Sequence, residues 1–333
     1  MRIASGIITY NPNLSDVTTC LKALCKQVER VIIVDNASKN VKSLQEIVSE
    51  YPNVTLIKNN QNIGFAKALT QIFKWAKSQG FNWVLTLNDD SVVPSNMISE
   101  YKKILENEGN QENQVSQINQ ANQANQANQV SKASQANNAN QKIAIVCSLL
   151  KNRLDGTILH SKCHEDECIT SGSLTSVEAW EKIGGFDEWL EIDGVDFDFS
   201  RRLVRAGWKI VECQNVIMEH QIGKARSINL IIKHPIVWNH NAKRKYYIAR
   251  NMQVVDYKMG TYSYIKSLRA VVRDMIFVAL WEKGKLAKIR AMIRGFKDGQ
   301  AKINQMRGAG CEAESKAGRK AGCEAVQNTI LKG

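Results

Sequence analysis

The sequence predicts an α/β fold: a mostly parallel central sheet with helices on both faces. Three observations predict it. Short runs of apolar, β-rich residues alternate with segments of helical spacing through the first hundred residues. Those runs are apolar throughout rather than alternating, as strands buried on both faces require. Polar clusters follow three of them, at Thr9-Tyr10-Asn11-Pro12, Asp35-Asn36-Ala37-Ser38 and Asn88-Asp89-Asp90-Ser91. In parallel sheets ligands bind beyond the carboxyl ends of the strands, where these clusters fall.

Ile3–Thr9 is the first strand. Leu14–Val28 follows as helix, with Leu14, Val17, Leu21, Leu24 and Val28 on one face. Val31–Asp35 is a strand ending in a carboxylate, Val41–Tyr51 a helix and Val54–Lys58 a strand. Gly64–Gln79 reads as helix, with Phe65, Ala68, Leu69, Ile72, Phe73 and Ala76 aligned, and Phe81–Leu87 is the fourth strand. A helix at Pro94–Leu105 precedes residues 107–142, whose Asn-Gln-Ala repeats lack the side chains of a packed core and read as a disordered surface insertion. The sheet resumes with a strand at Ile143–Leu149 and shorter ones at Thr157–His160 and Cys168–Ser171. Ser176–Ile183 is a short helix closed by Gly184-Gly185. Asp196–Ala206 is a helix with Gly207 at its end, and Lys209–Cys213 and Val216–Glu219 are strands. Residues 1–222 thus form one domain. Beyond Gly223 come basic amphipathic helices, roughly Asn239–Met259, Tyr262–Trp281 and Lys285–Gln305, forming a helical region over 223–307. Residues 308–333, rich in small residues and repeating Gly-Cys-Glu-Ala, read as a flexible tail.

The formal net charge of +13 is concentrated late in the chain. Between Lys258 and Arg307 there are 12 Lys and Arg against 3 Asp and Glu, an excess of nine. Such a stretch suits anionic lipid headgroups, nucleic acid or a diphosphate-linked acceptor. Met1–Tyr10 reads as a core strand, too short in its apolar part for a signal peptide. No apolar run reaches the roughly 18–20 residues needed to span a bilayer. Eight scattered cysteines form no paired framework. The expectation is a cytoplasmic protein.

Two acidic clusters carry the chemistry. Asp89 and Asp90 end an apolar strand. Carboxylates there suit a hard cation such as Mg²⁺ or Mn²⁺, which offsets the charge of a departing diphosphate. Asp90 or Ser91 could equally cap the helix that follows. Asp193, Asp196 and Asp198 lie at the start of a helix, where the dipole favours an ionised carboxylate and a general base could act on a hydroxyl. N-capping by Asp193 or Asp196 is the plainer alternative, and one carboxylate can do both. Asp35 could accept a hydrogen bond from the N3–H of uracil or thymine, or serve only as a turn residue. His220 ends a strand, and its imidazole could complete a metal sphere or be purely structural. His160-Ser161-Lys162-Cys163-His164-Glu165-Asp166-Glu167-Cys168 matches no standard zinc spacing, and a polar hairpin tip is the simpler reading.

With these residues in view, the chain resembles bacterial family-2 glycosyltransferases of the GT-A fold, above all the rhamnosyltransferase branch. The matching pieces run in order over about residues 3–255. They are Ile8-Thr9-Tyr10-Asn11-Pro12, Val34-Asp35-Asn36-Ala37-Ser38, Asn62-Ile63-Gly64-Phe65-Ala66-Lys67-Ala68-Leu69 and Leu87-Asn88-Asp89-Asp90-Ser91. Later come Ser171-Gly172-Ser173-Leu174, Gly185-Phe186-Asp187-Glu188, Ile192-Asp193-Gly194-Val195-Asp196-Phe197-Asp198, His220-Gln221-Ile222-Gly223 and Lys245-Tyr246-Tyr247-Ile248-Ala249-Arg250-Asn251. Any one is weak, but nine in order are specific.

The resemblance implies an inverting displacement on a nucleotide-sugar donor. It implies that Asp196 is the base and that Asp90, Asp89 and His220 hold Mg²⁺ or Mn²⁺. By the same resemblance Thr9, Tyr10, Asp35, Asn62, Gly64, Lys67 and Asp89 surround the donor. Asp193 and Asp198 act on the acceptor or in support. The branch often shows Asp-Gln-Asp where this chain has Asn88-Asp89-Asp90, and Glu where it has Asp198.

The expected activity is transfer of a sugar, rhamnose favoured, from a dTDP- or UDP-sugar to a lipid-linked or surface polysaccharide. The enzyme would work at the inner face of the membrane, its basic helices on anionic lipid; packing on the catalytic domain or a homodimer is the alternative use of those helices. Rivals are a UDP-hexose or UDP-galactofuranose transferase of the same fold, or an inactive scaffold. A dinucleotide-dependent oxidoreductase needs a glycine-rich turn after the first strand, where this chain has Tyr10-Asn11-Pro12-Asn13. A nucleic-acid binder would not present acidic strand ends.

Overall fold

The computed structural model describes residues 1–107, 141–152, 156, 158–160, 167–220, 226–227, 236–237 and 239–330, by backbone alone at 159–160, 220, 226–227, 236–237 and 310–330. Two compact units divide the chain, Met1–Arg226 and Ser227–Gly333.

The first unit is built on an eight-stranded sheet. Its strands are β1 (Ile3–Thr9), β2 (Arg30–Asp35), β3 (Val54–Lys58), β4 (Trp83–Asn88), β5 (Ile143–Asn152), β6 (Ile158–His160), β7 (Ser173–Ser176) and β8 (Lys209–His220). The order is β3-β2-β1-β4-β7-β5-β6, with β8 also paired to β5. β1 to β4 are mutually parallel, β7 runs antiparallel to both β4 and β5, and β8 is parallel to β5. Thr9 is level with Asp35, and Ile8 with Asn88. The carboxyl ends of β1, β2 and β4 therefore share one rim.

The helices are α1 (Leu14–Leu24), α2 (Val41–Ser49), α3 (Phe65–Ser78), α4 (97–107), α5 (Val177–Lys182) and α6 (Val195–Arg205). α1 starts where the Asn13 side chain accepts the Ser15 N–H at 3.1 Å, and it buries Val17, Cys20, Leu21 and Leu24. α3 buries Ala66, Ala68, Leu69, Ile72, Phe73 and Ala76, the face its spacing predicts. β1 and β3 have the limits read from the sequence, and the other early elements differ by a few residues at their ends.

Two expectations need correction. Cys168–Ser171 is not a strand; the paired segment lies further on, at Ser173–Ser176. The Thr86 hydroxyl donates to the Thr170 carbonyl at 2.6 Å, and Gly172 turns the chain at φ 81°. A Cβ at Gly172 would also lie 2.9 Å from Met218 Cε and from Ser148 Oγ, so only glycine fits. The two strands expected at Lys209–Cys213 and Val216–Glu219 are one, β8, with residues 214–216 accommodated in a bulge. Residues 108–140 of the insertion and 161–166 of the His/Cys cluster lie outside the described residues.

The second unit contains α7 (Ala242–Lys258), α8 (Tyr264–Trp281) and α9 (Lys285–Ile330). α9 continues past Gly308, where the sequence predicts a tail; the Ala, Lys and Glu of that stretch are good helix formers. Lys245 joins α7 to α8 through Asp274 at 2.8 Å, and Glu282 takes up both Lys245 at 3.3 Å and Lys288 at 2.7 Å. All but Asp274 are buried, and a buried cation needs such partners.

Candidate active site

At the end of β2, Asp35 has no exposed surface. Its Oδ1 accepts the Thr9 hydroxyl at 2.8 Å and the Ser38 hydroxyl, and its Oδ2 accepts the Ser38 N–H at 2.9 Å. Ser38 Oγ in turn accepts the Asn11 N–H at 2.7 Å, and Asn11 Oδ1 accepts the Lys39 N–H at 2.8 Å. The loops after β1 and β2 are thus welded around one carboxylate. Tyr10, beside this network, is exposed.

At the end of β4 the Asn88 N–H donates to Ser91 Oγ at 3.1 Å, closing a turn that carries Asp89 and Asp90. Burial pushes the Asp89 carboxyl up to about 6, helped by the negative charges of Asp90 and, less, of Asp16 on α1. Concentrated negative charge of hard oxygen donors is what a divalent cation would relieve. Ser91 Oγ lies 3.4 Å from Ser171 Oγ. Val92 bridges Glu219, so the end of β8, where His220 stands, is held beside this turn. The His220 side chain lies outside the described residues. Among those described, no three His, Cys, Asp or Glu side chains converge as a ready-made cage. Magnesium-type sites keep waters and phosphate in their shell and need only one or two carboxylates, so the pair fits the ion.

The second acidic cluster sits on a constrained loop. Glu191, Asp193 and Gly194 all have positive φ, at 60°, 55° and 83°. Two of these are not glycine, a costly arrangement that surrounding contacts must enforce. The Glu191 carbonyl supplies part of that: it accepts the N–H groups of Phe65 at 2.7 Å and Ala66 at 2.9 Å, satisfying the start of α3. Gly64, at φ 88°, lets the two loops meet; a Cβ there would lie 3.4 Å from Glu191 Cβ. Asn62 Oδ1 accepts the Gly64 N–H at 3.0 Å, and Lys67 is exposed in the first turn of α3. Phe73 meets Trp180 at 5.3 Å and Phe186 edge-on at 5.2 Å, and Phe186 meets Phe199 at 4.4 Å between ring centroids. Each such pair adds roughly 0.5–1.5 kcal/mol beyond its area and fixes α6 against α3.

Asp196 and Asp198 are two residues apart and meet different surroundings. Asp196 is half-buried in the first turn of α6, and its Oδ2 accepts the Thr170 N–H at 3.3 Å. Asp198 has no exposed surface and accepts from Arg202 Nε at 2.8 Å. Arg202 also donates to the carbonyls of Ile183 at 2.8 Å and Gly185 at 2.7 Å. Direct contact with an acceptor, one of two roles expected of Asp198, is closed to a side chain so enclosed. Its place is to hold Arg202 and thereby α6. Asp193 is half-buried on the strained loop.

The segment Thr170–Gly172 links the two acidic clusters. It holds Asp196 on one side and Ser91 on the other, and is itself held by Thr86 of β4. Sequence reasoning noticed Ser171–Leu174 but gave Thr86 and Thr170 no role. It quoted Ser38 within the Asp35 motif without giving it a role, and assigned none to Asp16 or the Glu191 carbonyl. A cavity of about 530 Å³ lined by Met1, Trp83, Ile143, Ser176 and Trp208 opens at the amino ends of the strands, away from every expected site residue.

The parallel strands thus end in acidic turns at one rim, and a helix-borne carboxylate is joined to that rim through Thr170 and Ser171. Residues 6–160 match the family model described as Glycosyl transferase family 2. That stretch, a little under half of the chain, is a family-2 glycosyltransferase domain. Within that class the chain is rhamnosyltransferase-like. It is 25% identical over 313 residues to the dTDP-rhamnosyl transferase RfbF of Shigella flexneri, covering 89% of this chain and 95% of that one. The crystal structure of S. aureus TarS shares the GT-A architecture at a TM-score of 0.50 and 11% identity, over 85% of this chain; this chain spans 44% of TarS.

Proposed function

We propose that this glycosyltransferase moves rhamnose from dTDP-rhamnose to a hydroxyl of a lipid-linked or surface glycan, with inversion at the anomeric carbon. The observation that carries the reading is the Thr170–Ser171 link, which ties Asp196 and the Asp89–Asp90 turn to one rim. The acceptor hydroxyl attacks C1 of the sugar and loses its proton to Asp196. The bond from C1 to the diphosphate breaks, and the nucleoside diphosphate leaves. The dipole of α6 favours Asp196 as the anion before that step. Asp89 and Asp90, with His220, would hold Mg²⁺ or Mn²⁺, which when bound offsets the charge that builds on the diphosphate. Thr9, Tyr10, Asn62, Gly64 and Lys67 line the donor site. Asp35 acts from within by fixing Thr9 and Ser38. Asp193 orients the acceptor side.

Similarity to the Shigella flexneri enzyme supports dTDP and rhamnose. Uridine offers the same N3–H, so UDP-sugars are the competing donors. We place the enzyme in the cytoplasm at the inner face of the membrane, its basic helices on anionic lipid. No helix among the described residues is long and apolar enough to cross a membrane. A hydrolysis screen of dTDP- and UDP-sugars with Mg²⁺ or Mn²⁺ tests the reading. Turnover of dTDP-rhamnose above all others is expected. Preference for a UDP-hexose would overturn the donor assignment, and no turnover with any donor would favour an inactive scaffold.

A further inference from the structure

α8 is an unusual helix for a soluble surface. Of its 18 residues only Val278 is buried, yet most of its residues are apolar. Ile265, Leu268, Val272, Ile276 and Leu280 are all exposed, between 37% and 59%. At 100° per residue they fall on one arc about 120° wide. Arg269, Arg273 and Lys266 lie within one edge of that arc or just beyond it. A groove of about 550 Å³ runs here, lined by Leu268, Val272, Ile276, Phe277, Trp281 and the stems of both arginines. The only carboxylate of α8, Asp274, points the other way and is held by Lys245.

Charge decides what covers this face. A second copy packed on it about a two-fold axis would set Arg269 and Arg273 near their own counterparts, with no carboxylate of α8 to answer them. An anionic bilayer answers both halves of the pattern: acyl chains take the apolar arc, and headgroup phosphates meet cations that snorkel from its edge. We propose that α8 is an interfacial helix that lies in the plane of an anionic phospholipid surface. It deepens, and rests on, the membrane association proposed above.

The test is co-sedimentation of the full chain with phosphatidylcholine vesicles, with and without phosphatidylglycerol. Wild-type protein should partition onto the anionic vesicles only. Val272→Ser with Ile276→Ser should weaken that partition about tenfold or more, since each removes an aliphatic side chain from lipid. Arg269→Gln with Arg273→Gln should weaken it and flatten its salt dependence. Lys297→Gln on α9 should change it little. The substituted positions are exposed, so helix content by circular dichroism and donor hydrolysis should stay unchanged. If wild type binds anionic vesicles and both α8 double variants bind equally well, the assignment to α8 is wrong while membrane association stands. If wild type ignores all vesicles, both fail. Dimerisation abolished by Val272→Ser with Ile276→Ser would then identify a second copy as the occupant.

Discussion

The ends of β2 and β4 flank β1 at the same height, yet they treat their carboxylates in opposite ways. Asp35 is enclosed and supplied with hydroxyl and N–H donors from Thr9 and Ser38. Asp89 is half-buried among other carboxylates, and its proton is held to about pH 6. The first is a finished network, whose energy goes into shape. The second holds concentrated negative charge, a poor arrangement for stability and a good one for meeting a cation and a diphosphate. Stability and function are thus divided between neighbouring strand ends.

The strongest way to break that division is to remove the charged turn. Asp89→Ala with Asp90→Ala should lower kcat/KM for the donor by about 10²–10³-fold, the usual scale for losing electrostatic stabilisation of a leaving group. The thermal midpoint should not fall. Unchanged turnover, with a lower midpoint, would make the turn structural. Next in size is Asp35→Ala, which strands the Thr9 and Ser38 donors. A loss of about 1–3 kcal/mol in urea unfolding is expected, with weaker donor binding following from the disordered loops. A stable variant with normal affinity would remove the distinction.

The smallest effect lies in pH. Asp89 is raised from 3.8 to about 6, so between those values the folded chain keeps a proton that the unfolded chain has released. Unfolding free energy contributed by Asp89 is therefore full below about pH 4 and lost as pH rises through 6, by on the order of 2 kcal/mol. The difference between wild type and Asp89→Asn, measured in urea from pH 4 to 7 without divalent cations, should shift in the variant's favour as pH rises. Parallel curves would mean that Asp89 titrates normally.

The same contrast explains what the sequence revealed. β1 to β4 and α1 to α3 were legible because apolar periodicity fixes buried strands and one-sided helices. The acidic strand ends were legible because glycine-poor polar turns stand out after apolar runs. Thr86, Thr170 and the Glu191 carbonyl were not: Thr86 meets the Thr170 carbonyl only because β7 returns antiparallel beside β4, and the Glu191 carbonyl meets the start of α3 only through the folding of its loop. Residue type and position alone left Asp196 and Asp198 both open as the base; the resemblance favoured Asp196, and the packing of Arg202 against the Gly184–Gly185 turn encloses Asp198. The strand misread at Cys168–Ser171 has a similar origin: an extended-looking stretch is bent by a glycine fitted under Met218 and Ser148.

The central claim is that Asp196 takes the acceptor proton beside a donor held at the Asp89–Asp90 turn. Donor affinity by calorimetry and turnover should be measured together for Asp196→Asn. Affinity within a few-fold of wild type, with kcat down about 10²–10⁴-fold, is the predicted result. Wild-type turnover in that variant would contradict it.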